Sequence, residues 1–380
     1  MTSRSVTEPL EAAVLTALSR VIDPEIRRPV TELDMIGGVT VADGAAHVDL
    51  KLTIVGCPAA DRIERDVRAA AASVDGVTAV SVDVSVMTRE ERDALTARLR
   101  GGRPREHQFG PDSLTKVFAV TSGKGGVGKS TLTANLAVSL AAKGLAVGLV
   151  DADVFGFSIP GILGIEGAVP TRVGELILPP VAHGVKVVSI GMFLPQPAPG
   201  APRNTAVSWR GPMLHRTVQQ FLTDVWFGDL DVLLLDLPPG TGDVAISVGQ
   251  LLPQAQVLVV TTPQTAAAEV AERSGIAARQ TGQTVIGVVE NMAGLPQADG
   301  TVLELFGSGG GEELARRLDV PVLASVPLSV DLRRGGDTGA PVVLTTPDDP
   351  AAVAIDALAD TLATRARGLA GRHLAMRINP

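Results

Sequence analysis

The chain has 380 residues, 45% of them hydrophobic and 19% charged, with a formal net charge of -8; this balance describes a globular chain long enough for two domains and excludes an extended disordered one. The acidic excess argues against a general nucleic-acid surface, so no nucleic-acid partner is expected, and no run of about 18 apolar residues offers a membrane span. A single cysteine, Cys57, excludes an intrachain disulfide and any multi-cysteine metal site within one chain, and the opening MTSRSVTEPLEAA lacks the apolar stretch of a secretory signal, which points to the cytoplasm.

Taken in chain order, Leu10, Val14, Ala17, Leu18 and Val21 give an amphipathic first helix. Asp23 and Pro24 follow as an N-cap and a first-turn proline, predicting a brief helical start. Residues 46–55 (AHVDLKLTIV) alternate like a half-buried strand. A helix is predicted from about Pro58 with Ile63, Val67 and Ala71 on one face, and a further strand over residues 78–86. These elements make a small α+β domain over residues 1–97. Residues 98–113 (RLRGGRPREHQFGPDS) are rich in glycine, proline and charge and read as a linker.

Beyond the linker, apolar strands near residues 117, 146, 185, 231, 256, 284 and 320 alternate with helical stretches through a second domain over residues 114–370, with a tail at 371–380. That alternation predicts an α/β fold, a doubly wound and mainly parallel sheet with its ligand at the carboxyl ends of the strands.

The first of these strands, KVFAVT, leads into Gly123-Lys124-Gly125-Gly126-Val127-Gly128-Lys129-Ser130 and then into the helical pattern TLTANLAVSLAA. Flanking glycines around four free positions, followed by lysine and serine, form a phosphate-binding loop whose N–H groups turn inward at a helix N-terminus. Residues 123–131, from Gly123 to Thr131, are therefore the candidate ATP contacts, with Lys129 on the β and γ phosphates. Lys124 duplicates a charge that Lys129 already supplies, and so suits a partner's nucleotide better than its own. Asp151 and Asp153 end the next strand, and a pair of carboxylates there can order Mg²⁺-bound and attacking water. The strand DVLLLD ends in Asp236, which would hold the Mg²⁺ shell through water while the Ser130 hydroxyl binds the ion directly. The Pro238-Pro239-Gly240-Thr241-Gly242 that follows has the backbone freedom of a switch. Asn291 ends the strand TVIGVVEN, where it can reach an adenine edge or simply serve a turn.

The loop with its extra lysine resembles the ParA/MinD superfamily of dimeric P-loop ATPases. DADVFGFSIP at 151–160, WRGPMLHR at 209–216, LDLPPGTGD at 235–243, TTPQ at 261–264, ENM at 290–292 and FGSGGG at 306–311 together resemble its Mrp/ApbC branch of iron-sulfur cluster carrier ATPases. DPEI at 23–26 and TIVGCP at 53–58 are similar to the small iron-sulfur assembly domain often fused ahead of that ATPase. The resemblance implies a homodimer that hydrolyses ATP with Mg²⁺, with Lys124 acting in trans, Asp153 orienting the nucleophilic water, Asp151 supporting the metal shell through water and Asn291 reading the base. It also implies binding of an iron-sulfur cluster of the 4Fe-4S type and its delivery to apo iron-sulfur proteins alongside cluster assembly factors.

One departure limits that implication. Most of the family carries Cys-x-x-Cys between ENM and FGSGGG, whereas residues 293–305 here (AGLPQADGTVLEL) hold neither cysteine nor histidine. Asp299 and Glu304 are hard donors, poor replacements for thiolates. Cys57 remains as a possible cluster ligand, one thiol per protomer, or else as a small packing residue. Two other readings therefore stand beside the carrier: an ATP-dependent dimerisation switch whose basic segment 365–378 seeks a surface, and an assembly scaffold that carries no cluster itself.

Overall fold

The structure, a computed structural model, describes residues 4–56, 59–101, 108–110, 112–154, 156–194, 211–297 and 299–365. Cys57, most of the linker, Trp209 and Arg210, and the basic tail beyond Arg365 lie outside the described residues. The chain forms two compact units.

The first unit contains α1 (Arg4–Leu18), β1 (Ile36–Ala42), β2 (Ala45–Leu52), α2 (Ala60–Ala72), β3 (Ala79–Val86) and α3 (Arg89–Arg100). β1 pairs antiparallel with β2, and β2 parallel with β3, the α2 crossover making the parallel pairing possible. Ile63, Val67 and Ala71 form the buried stripe of α2, the three residues that the helical spacing selects. The turn after α1 departs from expectation. Asp23 does cap, its Oδ1 accepting from the N–H groups of Glu25 at 2.9 Å and Ile26 at 2.7 Å. No helix follows, because Arg27 turns left-handed (φ 60°) and the Asp23 N–H bonds back to the Arg28 carbonyl at 3.0 Å. Two elements went unread. β1 has Gly37 and Gly38 directly after its first residue, which interrupts its alternation, and α3 is mostly charged, yet Thr88 and Glu91 close a capping box at its start. α3 runs on through residues 98–100, so the first residues read as linker are its last turn.

The same unit takes in segments 170–180 and 224–228. They contribute the hairpin β6 (Thr171–Val173) and β7 (Leu176–Leu178), whose Val173, Leu176 and Leu178, with Trp226, share one buried cluster with Val14, Leu18, Val48, Leu50 and Ile63.

The second unit is built on an eight-stranded sheet of β4 (Lys116–Ser122), β5 (Val147–Asp151), β8 (Val181–Ala182), β9 (Val185–Ser189), β10 (Val232–Asp236), β11 (Gln256–Thr261), β12 (Thr284–Asn291) and β15 (Val322–Val326). Its order is β15-β12-β11-β4-β10-β5-β9-β8, parallel throughout except for the β8–β9 pair. The seven strands expected beyond the linker are all present, and the sheet is α/β as the alternation required. Each central strand is a near-continuous apolar run because both faces are covered. The helices are α4 (Lys129–Ala142), α5 (Ile159–Ile162), α6 (Gly211–Thr223), α7 (Asp243–Leu251), α8 (Thr265–Gln280), α9 (Gly310–Leu318), α10 (Val330–Thr338), α11 (Val342–Thr345) and α12 (Pro350–Thr364), with a small hairpin of β13 (Leu295–Pro296) and β14 (Val302–Leu303). α4 is buried almost all round, since the sheet lies on one side and α12 on another. From β4 the chain winds outward both ways, so the crevice at its carboxyl end is the topological switch point where such sheets bind ligands.

One buried acid in the first unit has a measurable consequence. Burial pushes the Glu25 carboxyl up from 4.5 to about 7; the Thr171 hydroxyl, donating to Oε1 at 2.9 Å, opposes this, and the nearby Asp23 carboxylate adds to it. The folded chain then holds more protons than the unfolded chain between these two values, so stability falls as pH rises across that window and is flat above it. A Glu25→Gln chain is expected to lack the fall, becoming more stable than the parent by about 3 kcal/mol at pH 8 and equal to it below about pH 4.5, in thermal denaturation of the full chain at stepped pH.

Candidate functional site

The loop from Ser122 to Ser130 leaves the end of β4 and enters α4, whose N-cap is Gly128 in the left-handed region (φ 77°). Gly123 is required for a different reason. α8 passes so close that an added Cβ would lie 2.2 Å from the Ala271 nitrogen and 2.4 Å from the Val270 carbonyl carbon. The loop borders a cavity of about 710 Å³ lined by residues 124–131 together with Ser122, Asp153, Pro238, Pro239 and Asp243. That is room for a nucleotide-sized ligand.

Beneath the loop lies a buried charge cluster. β10 runs between β4 and β5, and its register sets Asp236 beside Val120 on one side and Asp151 on the other. Asp236 is fully buried; its Oδ2 accepts from Lys129 Nζ at 2.8 Å and from the Ser130 hydroxyl at 2.6 Å, while Oδ1 accepts from Thr133 Oγ1 at 3.0 Å. Lys129 Nζ also lies 3.8 Å from Asp153. A buried carboxylate survives only when paired and hydrogen-bonded, and here both oxygens are engaged. Asp151, also fully buried, accepts from Ser189 Oγ at 2.9 Å and the Asp153 N–H at 3.2 Å. Burial, then the charge of Asp236, push its carboxyl well above the usual range, because one lysine cannot neutralise two adjacent acids.

The structure therefore gathers Lys129, Ser130, Asp153 and Asp236 at one point, with Asp151 one strand behind Asp236. Asp153 is part of the cavity wall; Asp151 is not. The oxygen donors around Asp236 are hard and suit Mg²⁺, while the loop N–H groups and Lys129 suit phosphate. Lys124 is half-buried at the cavity, its Nζ donating to Gln264 Oε1 at 3.0 Å. Asn291 sits under the loop, its Nδ2 donating to the Val127 carbonyl at 2.8 Å, which leaves its second N–H and its oxygen for a base contact. Thr133, Ser189 and Gln264 were not singled out from sequence. Two of them carried a signal: Thr133 lies one helical turn after Lys129, and Gln264 closes the TTPQ motif at 261–264.

Residues 295–303 form the β13–β14 hairpin, in which Asp299 Oδ1 accepts from the N–H of Thr301 at 3.0 Å and its hydroxyl at 2.6 Å. These bonds hold the Asp299 carboxyl below its usual range and make it a turn residue. Among the described residues, the one group of three side chains with metal-ligand geometry is His47, Asp49 and Asp83 on the first unit's sheet, an imidazole and two carboxylates rather than thiolates. No described helix is long and apolar enough to cross a membrane.

Comparison with known proteins places these observations. The family model of the NUBPL iron-transfer P-loop NTPase matches residues 113–363, and that of an iron-sulfur cluster assembly protein matches residues 11–84. The iron-sulfur cluster carrier protein of Mycobacterium tuberculosis (strain H37Rv) is 54% identical over 376 residues, covering 97% of each chain. That of Escherichia coli (strain K12) is 33% identical over 360 residues, covering 94% of this chain and 93% of the other. A nucleotide-binding protein from Archaeoglobus fulgidus, solved in complex with ADP, is 36% identical with a TM-score of 0.53, covering 63% of this chain and 95% of that one.

Gly123 and Gly125 of the loop differ in what they tolerate. Gly123→Ala forces backbone apart and is expected to cost about 1–3 kcal/mol in denaturant unfolding and to weaken ADP binding at least about tenfold. Gly125→Ala meets nothing within 4 Å and should stay within about 0.5 kcal/mol of the parent.

Proposed function

The chain belongs to the NUBPL-type iron-transfer P-loop NTPase family, and on that premise we propose that it binds and hydrolyses ATP as a homodimer and carries an iron-sulfur cluster to apoproteins. The observation that carries the nucleotide half is the cluster of Lys129, Ser130 and Asp236 under a glycine loop at the switch point of the sheet. Lys129 and the loop N–H groups bind the β and γ phosphates. The Ser130 hydroxyl and, through water, Asp236 hold Mg²⁺, whose part is to neutralise phosphate charge; Asp151 acts behind Asp236. Asp153, on the cavity wall, orients the attacking water. Lys124, on the rim, offsets charge on the nucleotide of the partner subunit much as an arginine finger does.

The cargo half rests on the relatives' names, on the match of residues 11–84 to an iron-sulfur assembly family, and on Cys57 within that span. A dimer offers two Cys57 thiolates, and the remaining ligands of a transiently held cluster, of the 4Fe-4S type, come from outside the chain, as from glutathione or a second protein. The absence of cysteine and histidine from 293–305 favours a second reading, a nucleotide-dependent scaffold or dimerisation switch that carries no cluster.

One measurement tests the in-trans lysine and a second decides between carrier and scaffold. Lys124→Ala is expected to bind ATP as the parent does but to hydrolyse it roughly 10³-fold more slowly in steady-state turnover; unchanged turnover removes the in-trans role. After anaerobic reconstitution with iron and sulfide, the parent should show thiolate-to-iron absorbance and transfer to an apo-acceptor, and Cys57→Ala should show neither. A parent that takes up no cluster establishes the scaffold reading instead.

A further inference from the structure

β12 ends directly under the phosphate loop, and the contact there is unusually close. Asn291 is 5% exposed and its Nδ2 donates to the Val127 carbonyl at 2.8 Å. An added Cβ on Gly128 would lie 2.2 Å from that nitrogen and 3.7 Å from Met292 Cε. Two consecutive residues at the strand end thus pack against two consecutive residues of the loop. The peptide between Val127 and Gly128 cannot reorient without losing this bond or moving Asn291.

From Asn291 the chain reaches the β13–β14 hairpin with no slack. Met292 is left-handed (φ 60°), a conformation that costs a non-glycine residue roughly 1–2 kcal/mol. It is clamped on both sides. Asn291 is bonded to the loop, and the Ala293 N–H donates to the Val326 carbonyl at 3.0 Å. Gly294 has φ 119°, its carbonyl accepts from the Leu328 N–H at 2.7 Å, and an added Cβ would lie 2.5 Å from Val302 in β14. Asn291, Ala293 and Gly294 are therefore held, and the strained Met292 sits among them between the loop and the hairpin.

We propose that Asn291 is a positioning residue that ties the phosphate loop to the 295–303 hairpin, so that phosphate binding at residues 123–131 changes the backbone at Met292 and with it the hairpin. The inference rests on the nucleotide-binding part of the proposed function and not on the cluster. Phosphate draws the loop N–H groups inward, the Val127 carbonyl on the other edge of the same backbone shifts, and the buried hydrogen bond passes that shift to the end of β12. Met292 supplies the two-state element, since its left-handed backbone has a lower-energy alternative once the clamp moves. The hairpin is the element able to respond, because Val302 and Leu303 are about half exposed and little packing holds them.

The test is amide hydrogen exchange on the full chain with and without saturating Mg-ADP. In the parent, nucleotide should protect residues 123–131 and change exchange in 293–306 by about tenfold or more. For Asn291→Ala, and for Asn291→Asp, which keeps the size and an acceptor but loses the donor, Mg-ADP is raised to saturation from each variant's own measured affinity, because the same side chain is the candidate base contact; with the loop so protected, the hairpin should no longer respond. Each variant is first checked by thermal melting, and the folded one carries the test. A parent hairpin indifferent to nucleotide while the loop is protected, or a full hairpin response in either folded variant, overturns the proposal. Failure of Mg-ADP to protect the parent's loop overturns the nucleotide reading itself, and this inference with it.

Discussion

The Lys129–Asp236 ion pair is the constraint on which the second unit's chemistry depends. A carboxylate at the end of a central parallel strand is cut off from water on both faces, and uncompensated it would cost several kcal/mol. The fold compensates it completely: an ammonium at 2.8 Å, a serine hydroxyl at 2.6 Å and a threonine hydroxyl at 3.0 Å occupy its two oxygens. All three donors come from one helical turn, Lys129 to Thr133, so the start of α4 cannot drift from the end of β10 without exposing an unpaired charge. The glycine loop is thereby anchored at its helical end by electrostatics and at Gly123 by contact with α8. The same pair also gives the site its selectivity. Ammonium complements phosphate and carboxylate complements a hard cation, so a magnesium nucleotide addresses both members at once.

Sheet register extends this cluster. Since β10 lies between β4 and β5, Asp236 and Asp151 are neighbours across one ladder rung. Two acids share the charge of one lysine, and the Asp151 carboxyl is pushed up in consequence of burial and of its neighbour. Ser189 and the Asp153 N–H hold it in place. Asp151 ends β5 inside the sheet, whereas Asp153, two residues on, forms part of the cavity wall.

Much of this was legible in the chain. Buried parallel strands are apolar runs, which is why all seven were found, and the phosphate loop is legible because its function requires a fixed covalent spacing. What escaped depends on distant partners. β1 was hidden by Gly37 and Gly38, α3 by its charge, although its capping box is a local signal that could have revealed it. The membership of β6 and β7 in the first unit is decided by packing among Val173, Leu176, Leu178 and Trp226, which no local pattern records. Asn291 was correctly picked out as a residue at the strand end, but its bond to Val127 spans more than 160 residues and could only be seen in the fold. For the cargo, the sequence was more informative than the structure: one cysteine in the chain, outside the described residues, and a hairpin at 295–303 built from apolar and oxygen-bearing side chains.

The central claim, that one buried pair serves both the fold and the nucleotide, is tested most directly by a crystal structure with Mg²⁺ and a non-hydrolysable ATP analogue. The account predicts that Lys129 Nζ leaves Asp236, now 2.8 Å away, for the β and γ phosphates, while Ser130 and Asp236 turn to the metal shell. An analogue bound in the cavity with the Lys129–Asp236 contact intact would contradict it.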